Sequence, residues 1–224
     1  MKKTVLLSSF LICWLSLPAV AAVELKTEQQ KLSYALGAYF SQGVNQQNVD
    51  LDIPVFLQAV EDSLRKSELK MSESEIQTVL NQYKEKLVTE RNAAAGTNKT
   101  AGQKFMEDNK SKEGIVSLPS GLQYKIIKEG TGTKPKSDSN VKVHYQGALI
   151  DGKVFDSSYE RGEPVSFKLD QVIKGWQEVL PLMSVGSKWQ VYIPSELAYG
   201  ERGAGKTIGP NETLVFEIEL IGIN

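Results

Sequence analysis

At 224 residues the chain is long enough for one large domain or two smaller ones, and its 41% hydrophobic content supports a core in part of it. The 26 basic and 27 acidic residues nearly cancel, which argues against a nucleic-acid binder driven by counterion release. A single histidine, His144, and a single cysteine, Cys13, argue against a structural zinc site and against a Cys–His or Ser–His catalytic pair.

The first 22 residues read as a leader of bacterial layout rather than as structure. Lys2 and Lys3 form a basic start, and Val5 to Leu17 is an apolar run too short for a comfortable membrane span. Ala19-Val20-Ala21 or Val20-Ala21-Ala22 offers the small residues of a cleavage site. Cys13 lies inside the leader behind Ile12, where lipid attachment wants a small residue, so lipidation ranks low. Without the leader the chain loses its cysteine and two lysines, leaving 24 basic against 27 acidic residues and no disulfide. The expected destination is the periplasm, with the outer membrane or cell surface as further destinations.

Residues 23–70 read as helical. Thr27 and Gln30 make a capping-box pattern, and Leu32, Leu36, Tyr39 and Phe40 recur at helical spacing. Asp52 caps a second helix with Pro54 in its first turn, burying Phe56 or Leu57, Val60 and Leu64. Two short amphipathic helices make a thin core, which calls for a second copy of the chain or for packing on the C-terminal domain. Ser72 and Glu75 open a third helix over 71–113, with Ile76, Val79, Leu80, Tyr83, Leu87 and Val88 as its apolar stripe. Beyond Arg91 the stripe fades, and the run from Gly96 to Gly102 is poor helix material, so a kink or hinge is expected there.

From Gly114 the texture turns to short alternating runs punctuated by glycine and proline, the signature of β structure. Val141, Val143 and Tyr145 alternate with Lys142, His144 and Gln146, which makes His144 a solvent-facing strand residue. Asp151-Gly152 signals a hairpin turn and is followed by Phe155-Asp156. A short helix fits around Val172 to Leu182, and further strands around Trp189–Ile193 and Leu214–Leu220. The class is α+β, an antiparallel sheet with one short helix across it, joined by a long helix to an all-α N-terminal region. Read alone, the aromatics look like a pocket with an acid at its lip and no nucleophile, although Tyr145, Phe216 and Trp176 also suit an ordinary core. Trp189 and Phe167 are read as core. Asp156 also suits a turn cap, and Arg161 a solvated loop charge.

Gly200 to Thr207 matches the phosphate-loop pattern G-x-x-x-x-G-K-[ST] letter for letter. That site needs a helix leaving the loop, and Ile208-Gly209-Pro210-Asn211 breaks one, so the match is read as chance.

The segments SGLQYKIIKEG, VKVHYQG, DGKVFDSS, VIKGWQEVL, Ala198-Tyr199-Gly200 and IGPNETLVFEIEL occur in this order across 118–224. Together they closely resemble an FKBP-type peptidyl-prolyl isomerase. KLSYALG and the long helix resemble the dimerisation arm of the macrophage infectivity potentiator-like branch. The resemblance implies a twisted antiparallel sheet wrapped on one short helix over 114–224, and a homodimer through 23–90. It implies a pocket walled by Tyr145, Phe155, Val172, Ile173, Tyr199, Ile208 and Phe216, with Trp176 as floor. Asp156 then sits at the edge and pairs with Arg161, while the Ile173 N–H and the Tyr199 hydroxyl receive ligand carbonyls. Val165, Ala204 and Thr207 depart from the best-known family pattern, which bears on substrate preference and inhibitor affinity. The expected partners are proline-containing unfolded or extended polypeptides, and macrolide inhibitors such as rapamycin. No nucleic acid, metal or cofactor is expected.

The implied activity suits the residues. Amide resonance resists rotation by about 18–20 kcal/mol, and the twisted amide is less polar than the planar one. A water-poor apolar pocket therefore favours the twisted state without a covalent nucleophile. The competing expectation is a chaperone or interaction protein in which a dimeric arm holds clients and the pocket is secondary.

Overall fold

The computed structural model describes residues 24–46 and 49–224, so the leader and Cys13 lie outside it. The chain divides into two compact units, and the division falls between Met71 and Ser72. Among the described residues no helix is long and apolar enough to cross a membrane.

The N-terminal unit holds α1 (Glu28–Gln46) and α2 (Ile53–Arg65). The expected caps form. Gln30 Oε1 accepts from the Thr27 N–H at 2.9 Å, and the Thr27 hydroxyl accepts from the Gln30 N–H at 3.2 Å. Asp52 Oδ1 accepts from the Val55 N–H at 3.2 Å, with Pro54 in the first turn where its missing N–H costs nothing. Neither helix buries a residue: Leu32 and Leu36 are 61% exposed, Tyr39 is 77% exposed and Leu64 is 80% exposed.

The second unit begins with α3 (Glu73–Lys110), 38 residues without a break and about 57 Å long at ~1.5 Å per residue. Its capping box is complete, with Glu75 accepting from the Ser72 N–H at 2.8 Å and the Ser72 hydroxyl accepting from the Glu75 N–H at 3.3 Å. The kink expected between Gly96 and Gly102 does not occur. A Cβ at Gly102 would stand 2.3 Å from the Thr213 hydroxyl oxygen, so this glycine lets the helix seat against the domain. The polar stretch that suggested weakness is a docking seam. Ala95 and Asn98 are half-buried, while Gly102, Met106 and Asn109 are buried, at the three- and four-residue spacing of one helix face. At its far end Asn109 Nδ2 donates to Gln123 Oε1 at 2.9 Å, and Gln123 Nε2 donates to the Met106 carbonyl at 2.8 Å.

The sheet comprises β1 (Ile115–Ser117), β2 (Gln123–Lys128), β3 (Asn140–Leu149), β4 (Val154–Ser157), β5 (Val165–Lys168), β6 (Lys188–Ile193) and β7 (Leu214–Ile223). Its order is β1-β2-β6-β7-β3-β4, with β5 pairing on β3 and every pair antiparallel. β4 and β5 thus share one edge of β3. The N-terminal half of β3 meets β5 at Asn140–Val143, and its C-terminal half meets β4 at Gln146–Ala148.

Across the sheet lies α4 (Lys174–Val179), shorter than the 172–182 helix expected. It tightens into a 3-10 turn at Leu180–Leu182, where Pro181 lacks the N–H that an α-helix would use. The core runs between α4 and the sheet and includes Leu122, Val141, Val143, Leu169, Val179, Ile193, Leu214 and Ile218. Trp189 belongs to it as expected, stacked on Tyr124 at 4.3 Å.

Candidate active site

Period-two alternation on β3 sends Val141, Val143 and Tyr145 into the core face. Tyr145 and Phe216 of β7 emerge where the core ends, and Trp176 of α4 lies beneath them, 4% exposed. The indole is approached edge to face by Tyr145 at 5.3 Å, Phe167 at 5.5 Å and Phe216 at 5.3 Å. Phe155 stands edge to face with Phe216 at 5.6 Å. Such pairs are the preferred arrangement of ring quadrupoles and fix each ring in place.

Two local devices assemble this cluster. Gly147 faces it from β3, and a Cβ there would stand 2.6 Å from Phe155 and 2.7 Å from Phe216, so only glycine lets the two rings meet. On β4, Asp156 pairs with Gly147 and Val154 with Ala148, which leaves Phe155 as the extra residue of a bulge. In a regular strand, neighbours point to opposite faces. The bulge re-aims them, so Phe155 and Asp156 both reach the cavity.

The cavity has a volume of about 290 Å³ and is lined by Tyr145, Phe155, Asp156, Phe167, Gln171, Val172, Ile173, Trp176, Tyr199 and Phe216. Eight of the ten residues expected at the site therefore line it. Arg161 stands behind the lip and pairs with Asp156. Ile208 is buried in the core, 8% exposed, where its N–H and carbonyl are paired with those of Ala204. Phe167, read as plain core, is a wall of the cavity, and Gln171 was not foreseen. The Phe167 signal was its place opposite Val141 on β5, which only the strand register reveals.

At the lip three groups close a ring of hydrogen bonds. The Tyr145 hydroxyl donates to Asp156 Oδ2 at 2.5 Å, Arg161 Nη1 donates to Asp156 Oδ1 at 2.5 Å, and Arg161 Nη2 donates to the Tyr145 oxygen at 2.9 Å. Burial pushes the Asp156 carboxyl up, but the hydrogen bonds from Tyr145 and Arg161 and the guanidinium charge outweigh it and hold it below its ordinary value. Burial, reinforced by the hydrogen bond to Asp156, pushes the Tyr145 phenol above its ordinary value. Burial followed by the Asp156 charge does the same to Tyr199. Asp156 is thus ionised at neutral pH, and both phenols keep their protons. An anion engaged by two donors is an orienting group rather than a free general base.

His144 is not the solvent-facing residue expected. It is half-buried and stacked on Tyr159 at 4.7 Å, with Nδ1 3.0 Å from the Ser158 hydroxyl. That hydroxyl also accepts from the Tyr145 N–H at 2.8 Å. The partner arrives from beyond β4, out of reach of local alternation. The Gly200–Thr207 loop opens with a 3-10 turn and closes with the Ala204–Ile208 bridge, so no helix follows it.

Comparison with known proteins identifies the family. Residues 131–221 match the family model described as FKBP-type peptidyl-prolyl cis-trans isomerase, and 29–126 match that of the domain amino terminal to it. The chain is 44% identical over 212 residues to "Outer membrane protein MIP" of Legionella longbeachae, covering 93% of this chain and 91% of that one. It is 42% identical over 198 residues to the "FKBP-type 22 kDa peptidyl-prolyl cis-trans isomerase" of Escherichia coli, covering 88% and 96%. The crystal structure of FkpA from Escherichia coli superposes with a TM-score of 0.63 at 35% identity, covering 90% of this chain and 99% of that one. The chain belongs to the FKBP-type peptidyl-prolyl cis-trans isomerases and is an enzyme of that activity.

Proposed function

We propose that the chain is an exported isomerase of X-Pro bonds in folding polypeptides, and that the aromatic cavity performs the reaction by solvation and positioning. The observation that carries this reading is the buried Trp176 held edge to face by three rings at the base of an open cavity. A proline ring rests on Trp176 between Tyr145, Phe155, Val172 and Phe216. Its amide lies in a water-poor space that favours the twisted, less polar state over the planar one. The Ile173 N–H and the Tyr199 hydroxyl receive ligand carbonyls. Asp156, steadied by Arg161 and Tyr145, orients the carbonyl that precedes proline. Ile208 supports the wall from the core. Macrolides such as rapamycin would occupy the same cavity, with Val165, Ala204 and Thr207 tuning their affinity.

A proline-peptide isomerisation assay tests the assignment. The wild-type chain should exceed a Trp176→Ala, Asp156→Ala double variant by about 100-fold or more in kcat/KM, the scale of losing both orientation and solvation. Equal rates would sink the cavity as the site.

Export rests on the leader read at 1–22 and is supported by the relative named for the outer membrane. The periplasm is the first destination, and fractionation of expressing cells tests it. The exposed apolar face of α1 and α2 favours a homodimer through 23–90, since Leu32, Leu36 and Tyr39 lie on one helical side with no cover. The same observation favours the second reading, in which the dimeric arm holds clients as a chaperone. A chain lacking α1 and α2 that still protects an aggregating client would remove it.

A further inference from the structure

The cavity wall that carries Tyr199 is not held by the sheet alone. Tyr199 opens a segment that runs to Asn211 and returns the chain to β7. Within it, the Gly203 N–H donates to the Tyr199 carbonyl at 3.2 Å, and the Asn211 N–H donates to the Gly200 carbonyl at 2.8 Å. Ala204 and Ile208 exchange two backbone bonds at 2.9 and 3.1 Å. These bonds shape the loop internally but tie it to nothing outside.

Ile208 anchors the loop in the core, and side-chain hydrogen bonds tie it to one face of α3. Arg91 Nη2 donates to the carbonyls of Glu201 at 3.0 Å and Arg202 at 3.3 Å. Asn98 Nδ2 donates to the Pro210 carbonyl at 2.9 Å. Asn211 Nδ2 donates to the Ala95 carbonyl at 3.3 Å. Positions 91, 95 and 98 are four and three residues apart, so the helix presents all three to the loop at once. Asn211 has φ +57, a left-handed conformation that favours glycine and that asparagine tolerates better than most other residues. Glycine would also hold that backbone, but without the carboxamide that reaches α3.

We infer that Arg91, Asn98 and Asn211 are positioning residues of the isomerase, which make α3 a brace that sets the Tyr199 wall of the cavity. The inference rests on the cavity being the site. A loop with a carbonyl anchored at each end loses fewer poses when a ligand arrives, and binding costs less when the wall is ordered beforehand. The brace also accounts for two polar side chains in the middle of α3: Arg91 and Asn98 bond loop carbonyls instead of filling a core.

The test uses the full mature chain. Variants are Arg91→Ala with Asn98→Ala, Arg91→Lys, and Asn211→Gly, which keeps the left-handed backbone and deletes the carboxamide. Asn109→Ala loosens α3 at its other end, and Lys104→Ala is a surface control. KM and kcat on a proline peptide are measured separately, beside amide hydrogen exchange. The double variant and Asn211→Gly should raise KM about five-fold at near-constant kcat, the pattern of a less ordered binding wall. Exchange at Gly203, Ala204, Ile208 and Asn211 should quicken, while β3, β6 and β7 stay protected. Arg91→Lys, which keeps a donor, should recover most of the KM, and Asn109→Ala should leave KM alone. Unchanged KM in the double variant overturns the inference, as does an equal rise in Asn109→Ala. A Trp176→Ala chain as active as wild type defeats the cavity reading itself, which separates that failure from failure of the brace.

Discussion

The two units handle apolar surface in opposite ways. In 72–224, Trp176, Phe216 and Tyr145 are at most 5% exposed and grip one another edge to face. In α1 and α2, Tyr39, Leu36 and Leu64 lie 77%, 61% and 80% exposed. Both stretches are amphipathic in sequence, and only one closes on itself. Every residue that lines the aromatic cavity belongs to 72–224, whereas the N-terminal helices leave an apolar side uncovered, and the homodimer is proposed on that exposure. On that proposal, chemistry and assembly belong to different segments of the chain.

Removing the cavity floor should show the contrast most strongly. Trp176→Ala deletes a buried ring touched by three others, and should cost about 3–5 kcal/mol in denaturant unfolding and most of the isomerase rate. Tyr39→Ala, at concentrations where the chain is monomeric, should leave unfolding nearly unchanged. Equal losses would break the comparison. Gly147→Ala comes next. Its new methyl group cannot coexist with Phe155 and Phe216 as placed, so about 1–3 kcal/mol of strain and a distorted cavity are expected, read by unfolding and by peptide kcat/KM.

A finer cut is Tyr145→Phe, which keeps the ring and removes the hydroxyl shared with Asp156 and Arg161. It should lower kcat/KM by about two- to ten-fold, the range of one hydrogen bond, with little change in stability. The smallest effect is that of pH. Asp156 has its folded pKa depressed below its ordinary 3.8, so its contribution is full above that value and is lost as pH falls through the depressed one. Kinetics from pH 8 to 5 should therefore show no Asp156 titration, and Asp156→Asn should remove any decline below about pH 4. A titration near pH 6 that disappears in Asp156→Asn would contradict the ring of bonds at the lip.

Local pattern made much of this legible. The caps at Thr27, Asp52 and Ser72 and the alternation on β3 depend on neighbours within a few residues, whereas most of the cavity lining was legible only through the resemblance to the family. What stayed hidden depends on partners far along the chain. Phe167 becomes a wall because β5 pairs with β3, and His144 is covered because Tyr159 folds over it. The stretch from Arg91 to Gly102 reads as weak helix until the 199–213 region supplies carbonyls for Arg91 and Asn98 and a side chain to fill the gap at Gly102. Polarity alone cannot tell a solvated helix from one docked by hydrogen bonds. Nor does composition announce a bulge, so the joint delivery of Phe155 and Asp156 into one cavity appears only with the register.

The proposed separation of chemistry from assembly is tested most directly by the per-chain kcat/KM on a short X-Pro peptide for Leu36→Glu, Tyr39→Glu, compared with wild type after sedimentation shows the variant at half the wild-type mass. The account predicts rates within about two-fold of each other, since the cavity lining comes entirely from 72–224 and neither substituted residue belongs to it. A ten-fold or greater drop in a well-folded monomer would mean that the cavity depends on the second copy, and would contradict the account.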